Sequence, residues 1–358
     1  MADYKFNSTV HIPFERVKEW STEVYEKMGM SHEDAEITAD IQATADLRGV
    51  YSHGIQRCDT YVWRINNKTI DPKAVPEIAA DAGALVMVDG KHAMGQVSSY
   101  KAMKIAIERA KKYGSSTVIV KGGNHMGTMA YYAMMAAEED MIGVFFTQGA
   151  GNNIAPSGSS EPLLGNNPMG YAIPAATKDP VVVDLAMTTV AGGKVTMAAL
   201  TNTPIPPTWA LDKDGKPTTD AKQFYSLQPI AGYKGYGLSF ATTLMTAVLT
   251  DAPWGREQRD LLDHNHKYAD EPLNISYMMQ VIDVKSITDP EAFKARVDAA
   301  IDEMKSAKLG EGVKEILVPG EPEARKAKKQ LEEGIEYPVE LIEKVNELAD
   351  SIGVSRII

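Results

Sequence analysis

The sequence predicts a mixed α/β protein of the α+β class, with helical chain ends around a central mixed sheet. Three observations carry this. The first 70 residues show helical periodicity with cap signals, short β-branched runs dominate residues 84–185, and helical patterns return after Pro290. Chain termini tend to lie close together. Residues 1–75 and 300–358 are therefore expected to form one discontinuous helical domain, and 76–299 a mixed α/β domain.

Pro13 is placed to start a helix reaching Met28, with Gly29 as its stop. Ser31 and Asp34 offer a capping box to a second helix that ends near Arg48 and is closed by Gly49. A third helix is expected after His53, through Ile55, Tyr61 and Ile65, so Ser52-His53-Gly54 falls in a break between helices. In the centre, 84–90 reads as strand and turn, 97–113 as helix, 116–120 as strand, 128–138 as helix and 142–147 as strand. Two more strands are expected at 171–174 and 180–185, an apolar helix at 236–249 and a strand at 274–284. Helices at 290–307 and 338–352 carry Glu and Lys on their wet faces. Segments 201–223 and 251–272, rich in Pro, Asp and Asn, read as long loops.

Composition narrows the function classes. The chain has 358 residues, 44% hydrophobic and 24% charged, as in ordinary globular proteins. A net charge of −11 argues against non-specific nucleic-acid binding, which needs Lys and Arg facing phosphates. It leaves room for a small anion held by a few local cations. A single cysteine, Cys58, allows no internal disulfide and suits a reducing compartment. The amino terminus lacks an apolar signal core, and no stretch approaches the roughly 18 apolar residues of a membrane span. A cytoplasmic protein is expected.

The sharpest local signal is Gly122-Gly123-Asn124-His125-Met126-Gly127, directly after the apolar run 116–120. It reads as a strand ending in a tight turn, with His125 at the carboxyl end where α/β proteins usually place their chemistry. An imidazole there can exchange a proton near neutral pH, although a turn histidine bonded to backbone fits the pattern equally well. His53 is a second candidate, and Arg48 and Arg57 flank it. Either guanidinium could grip a carboxylate; Arg48 is the better candidate because it ends a helix beside the break. Lys234, among Gly232, Gly235 and Gly237 at a helix start, suits a phosphate or carboxylate. Asp184 ends an apolar strand, where it either meets a ligand or caps the next helix. Asn167 lies in a polar turn, as ligand contact or as turn chemistry. His264 and His266 beside Asp263 are discounted as a metal site, since no third ligand is spaced to match. Neither 149–154 nor 235–237 completes a G-x-G-x-x-G turn, which argues against a Rossmann domain.

Taken together, these pieces resemble the type 2 malate/L-lactate dehydrogenase family. That family also contains sulfolactate, ureidoglycolate and diketogulonate oxidoreductases and a cyclic-imine reductase. The matching stretches, in order, are RGVYSHGIQR at 48–57, GNHMG at 123–127, SEPLLGNNPMGYAIP at 160–174, VVVDLAMTTVAGGK at 181–194, WALDKDGKPTTD at 209–220, GYKGYGL at 232–238 and PGEPE at 319–323. The resemblance implies a non-Rossmann cofactor domain, NAD or NADP as cofactor, a homodimer, and interconversion of a 2-hydroxy acid with its 2-oxo acid; no metal is expected from the residues. It implies that His125 exchanges the proton, that Ser52 and His53 form a substrate-side pair, and that Arg48 binds the substrate carboxylate. Gln148, Asp184, Leu185, Ala186, Lys234, Gly235, Gly320 and Glu321 match cofactor-contacting segments. Reduction of a cyclic 2-imino acid, a diketogulonate or an oxalurate-type acid stands as the alternative activity, and a non-catalytic anion-binding protein as the alternative class. The chain departs from the family at Tyr233, at Asn166, in the stretch 148–153 and in the long polar loop 251–272. These departures bear on substrate identity more than on reaction type.

Overall fold

A computed structural model describes residues 8–262, 265 and 269–358. The chain opens with β1 (Thr9–Ile12), α1 (Phe14–Lys27) and α2 (His32–Leu47), and two 3-10 turns, Tyr51–His53 and Ile55–Arg57, lead into α3 (Cys58–Asn66). The centre runs β2 (Glu77–Ala82), β3 (Leu85–Asp89), α4 (Gly95–Tyr113), β4 (Ser115–Gly123), α5 (Met129–Ala137), β5 (Met141–Thr147), β6 (Met169–Ile173) and β7 (Val181–Leu185). Then come α6 (Gly192–Leu200), the short strands β8 (Ala210–Leu211), β9 (Pro217–Thr218) and β10 (Ser226–Leu227), and α7 (Tyr233–Met245). The chain finishes with β11 (Ile275–Asp283), α8 (Pro290–Ser306), α9 (Glu321–Glu333), β12 (Ile335–Pro338) and α10 (Val339–Ile352).

The two chain ends share one core. Val17, Trp20 and Val24 of α1 recur at helical spacing and pack with Ile342, Val345 and Ala349 of α10. β1 and β12 pair antiparallel beside them. Ser31 accepts a hydrogen bond from the Asp34 amide and so caps α2. The expected boundary at residue 300 falls within α8. That helix belongs with the centre, because its Asp298 accepts from the Ala176 and Thr177 amides and its Lys294 pairs with Asp140.

The central sheet has seven strands in the order β2-β3-β4-β11-β5-β6-β7. Only β3 and β4 pair parallel, through α4 as the crossover. β11 enters late in the chain and lies antiparallel between β4 and β5. The sheet is therefore mixed and not doubly wound. α4 and α5 cover one face, where Val86, Val88, Val118, Val120 and Phe145 meet Ala106, Ala110 and Tyr132. β2, α6 and α9 were not expected from sequence. β2 is exposed along its whole length and so carries no burial pattern, and α9 buries only Gln330. No helix among the described residues is long and apolar enough to cross a membrane.

α5 lies so close to β5 that a Cβ on Gly143 would run into the Ala133 carbonyl. Gly143→Ala is expected to lower unfolding free energy by about 1–3 kcal/mol through forced separation of helix and sheet. Urea titration checks this; an unchanged midpoint would show that the layers can part freely.

Candidate active site

β4 ends at Gly123, and His125 follows two residues later, at the carboxyl end of the strand. Asn124 fixes that turn by donating its amide to the His92 and Ala93 carbonyls, both at 3.0 Å. Gly95, the first residue of α4, leaves no room for a Cβ against the carbonyls of His125 and Asn124. The start of α4 therefore presses directly on the histidine turn.

The break between α2 and α3 is built as tightly. Asp46 Oδ2 accepts from the Ile55 amide at 2.9 Å and from the Tyr337 hydroxyl at 2.8 Å. Gly54 packs against the same carboxylate with no space for a side chain. This turns His53 toward His125. Their rings stack with centroids 5.5 Å apart and planes 23° apart. Ser52 Oγ lies 2.8 Å from His53 Nδ1. On the far side of His125, the Tyr61 hydroxyl lies 2.6 Å from its Nδ1, and Gln96 Nε2 donates to that hydroxyl at 3.1 Å. No described residue bonds to His125 Nε2.

Electrostatics keep both rings neutral. Burial, then the charge of Arg57, pulls the His53 pKa down to about 4. Burial, with His53, Arg57 and Arg64, holds His125 well below its usual range.

The arginines divide unexpectedly. Arg57 donates Nε to the Ser52 carbonyl at 2.8 Å, and its charge bears on both imidazoles. Arg48 instead faces Asp184, Glu323 and Asp179; burial lowers its pKa against these carboxylates. Its side chain makes no hydrogen bond to a described residue. Arg64 is spent on the carbonyls of Asp260 and Leu261.

Asp184 accepts from the Ala130 amide at 2.8 Å, so it serves the amino end of α5 across the sheet and not the helix that follows it. It keeps an exposed edge, yet surrounding groups desolvate the carboxyl and raise it to about 6. Leu185 beside it is 39% exposed, which leaves an apolar shelf at the strand end, and Ala186 is half-buried. Gln148 donates Nε2 to the Pro253 carbonyl at 2.8 Å, while its buried Oε1 has no partner among the described residues. Lys234 is exposed in the first turn of α7, and Gly235 lets that turn fold onto the Ile230 carbonyl. Gly320 has φ 85° and lies against Val182 of β7.

Two expected contact residues are engaged within the chain itself. Asn167 is fully buried and bonds the Gly149 amide, the Ser239 carbonyl and the Thr243 hydroxyl, so its side chain serves the turn. Glu321 binds Lys305 and the Val318 amide, so its carboxylate holds the loop before α9. His264, His266 and Asp263 lie outside the described residues.

A model of the malate/L-lactate dehydrogenase family matches residues 12–346. The chain belongs to that family. This dehydrogenase is 38% identical to the malate/(S)-sulfolactate dehydrogenase of Methanothermus fervidus over 91% of its own length and 94% of that protein. It is 32% identical to a malate dehydrogenase of Pyrococcus horikoshii over 98% of both chains. The solved sulfolactate dehydrogenase of Methanocaldococcus jannaschii superposes with a TM-score of 0.89 at 34% identity, covering 97% of this chain and 98% of that one. The enzyme is an NAD(P)-dependent oxidoreductase that interconverts a 2-hydroxy acid and its 2-oxo acid.

Tyr61 and Gln96 were missed in the sequence. A signal for Tyr61 was present, because Arg57, Tyr61 and Arg64 recur at i, i+4 and i+7, a polar line on one face of a largely buried helix.

Protonation of His53 should cost stability. Its folded pKa is depressed from 6.5 to about 4, so its contribution is present above about pH 6.5 and lost as pH falls toward 4. Asp46 and Asp184 act in the opposite sense: their raised values favour the fold at low pH and lose that effect as pH rises through about 7 and about 6. The difference between wild type and His53→Gln isolates the histidine. Wild type should lose up to about 3 kcal/mol more than the variant between pH 7 and 4. Equal slopes in pH-dependent urea unfolding would remove the depressed pKa.

Proposed function

We propose that the cleft binds a malate- or lactate-like 2-hydroxy acid, or its 2-oxo partner, with the C2 oxygen at His125 Nε2 and the carboxylate at Arg57. The observation that carries this is the stacked His53–His125 pair, with the Arg57 charge bearing on both rings. A neutral His125 whose Nδ1 is engaged by Tyr61 has Nε2 left to exchange the substrate proton. His53 and Ser52 line the substrate side and fix its orientation. Arg57 replaces Arg48 as the carboxylate ligand, because Arg48 faces the acidic groups beside Asp184.

A bound nicotinamide supplies the hydride chemistry. Residues that suit such a group are Gln148, Arg48, Asp184, Leu185, Ala186, Lys234, Gly235 and Gly320. The fit rests on the unpartnered Gln148 Oε1, the half-buried Arg48 without a hydrogen bond to a described residue, and the exposed Leu185. Both NADH and NADPH are candidates, and the single buried Cys58 suits a cytoplasmic setting.

His125→Ala should lose roughly 100-fold or more in turnover. Arg57→Met should raise KM for the acid by about 10- to 100-fold and leave cofactor binding by fluorescence unchanged. Oxaloacetate, pyruvate, sulfopyruvate and a cyclic 2-imino acid, each assayed with both cofactors, identify the substrate. Normal turnover in His125→Ala would remove it from the proton role.

We propose a homodimer. Phe240, Leu244, Met245, Val248 and Leu249, along α7 and the turn after it, are 38–53% exposed in the single chain, an apolar strip that a second copy would cover. Light scattering should give a dimer for the wild type and a monomer for Leu244→Asp/Leu249→Asp. A monomeric wild type would refute the assignment.

A further inference from the structure

The ring nitrogen that carries the His125 proton is decided behind the imidazole. Gln96, Tyr61 and His125 form one hydrogen-bonded chain: Gln96 Nε2 to the Tyr61 hydroxyl at 3.1 Å, and that hydroxyl to His125 Nδ1 at 2.6 Å. Gln96 and Tyr61 are both 0% exposed, so solvent does not set the direction of these bonds.

A phenol has one proton to give. When Gln96 donates to the Tyr61 oxygen, the phenol proton points at Nδ1, and neutral His125 carries its own proton on Nε2. In that form Nε2 donates toward the substrate. Accepting the hydroxyl proton of a 2-hydroxy acid requires the other form. Nδ1–H then donates to Tyr61, and Tyr61 O–H needs an acceptor beyond it. Gln96 Oε1 belongs to the same amide and is buried without a partner among the described residues. A half-turn of the amide exchanges Nε2 for Oε1 and reverses the whole chain.

We propose that Gln96 is a positioning residue whose amide, able to donate or accept, selects which nitrogen of neutral His125 holds the proton and so sets how much of the ring is in the Nδ1–H form that can accept the substrate proton. The proposal rests on the reading of His125 as the proton-exchanging group. In the oxidising direction Nε2 gains the C2 hydroxyl proton, and the resulting imidazolium keeps Nδ1–H on Tyr61. The reverse step returns that proton to the C2 oxygen. The charged or titratable groups acting on the ring are His53 and Arg57 from the turn before α3, and Tyr61 and Arg64 from α3, with Asp260 against Arg64. α4 brings no acidic residue in its first turn. A carboxylate at position 96 would thus put a new anion at the end of the chain.

The experiment reads His125 directly in protein labelled with 15N at histidine, without substrate or cofactor, with assignment by loss of the signal in His125→Gln. Wild type should show averaged shifts of the two neutral forms. Gln96→Glu at pH 8 can only accept, so the ring should shift to the Nδ1–H form, with its pKa raised by about one unit. Gln96→Met removes the acceptor, so the ring should shift the opposite way, to Nε2–H. The pH midpoint of kcat/KM for oxidation should rise with Gln96→Glu. In Gln96→Met, kcat should fall roughly tenfold with little change in KM. Unmoved nitrogen shifts in both variants, with only a lower Tm, would overturn the proposal. If one variant does not fold, the other decides by the same shift. Normal turnover in His125→Ala would instead defeat the proton-transfer reading, while the nitrogen shifts still judge Gln96.

Discussion

The Asp46 carboxylate, buried between the two ends of the chain, is the constraint on which the rest of the site depends. It ties the Ile55 amide on one side of the helix break to the Tyr337 hydroxyl from the carboxyl-terminal strand on the other. Gln330 reinforces the same junction by donating to the Asp46 and Leu47 carbonyls at 3.0 and 2.7 Å. Burial pushes the Asp46 carboxyl up to about 7, so the structure holds this group against a real desolvation cost. The result is a short turn with no slack. Gly54 has no room for a Cβ, and His53 before it stacks on His125. The carboxyl-terminal segment, far from the histidines in sequence, is in this way part of what aims one of them.

The second histidine is aimed by a different contact. α4 begins where the turn after β4 ends, and Gly95 allows the two to touch. The same approach brings Gln96 to Tyr61 and Tyr61 to His125. Two elements, each rigid for its own reason, thus present two imidazoles to each other across 5.5 Å. Burial and the nearby guanidiniums hold both rings neutral. A neutral ring can accept a proton from an alcohol; a charged one cannot. Packing and electrostatics therefore converge on uncharged rings, whichever nitrogen holds the proton.

Much of this was legible in the chain. Helix starts at Pro13 and Ser31, the strand before His125 and the break at Ser52-His53-Gly54 all rest on local rules of capping and turn chemistry, and they fall at the positions those rules give. What local rules do not contain is which distant segments meet. β11 fills the middle of the sheet although it enters after β7, and no pattern within Ile275–Asp283 announces that position. Arg48 and Arg57 both flank His53, and the helix end at Arg48 favoured it; which one faces the imidazoles depends on the path of the 3-10 turns between them. Asn167 read equally as ligand contact or turn chemistry because both uses call for the same residue, and only its burial against Ser239 and Thr243 separates them.

The departures from the family at 148–153 and 251–272 looked like two separate features in sequence, and in space 148–152 pairs with 253–259. Gln148 donates to the Pro253 carbonyl, Gln258 to the Gly149 carbonyl, the Gly151 amide to the Arg259 carbonyl at 2.8 Å, and Asn152 to the Gly255 carbonyl at 2.7 Å. Two irregular segments that hydrogen-bond along their length must change together, because an altered backbone path in one strands buried donors in the other. The paired segments are also tied to the histidines. Arg64 grips the Asp260 and Leu261 carbonyls from the same helix that carries Tyr61, one turn away. A shift in the strap would pull on α3, and through Tyr61 on His125. Arg64 itself is almost wholly buried and adds its charge to those that keep His125 neutral, so the strap's anchor is also part of the electrostatics of the ring. Variation in the loop and the setting of the His125 ring are therefore mechanically linked, through one buried guanidinium.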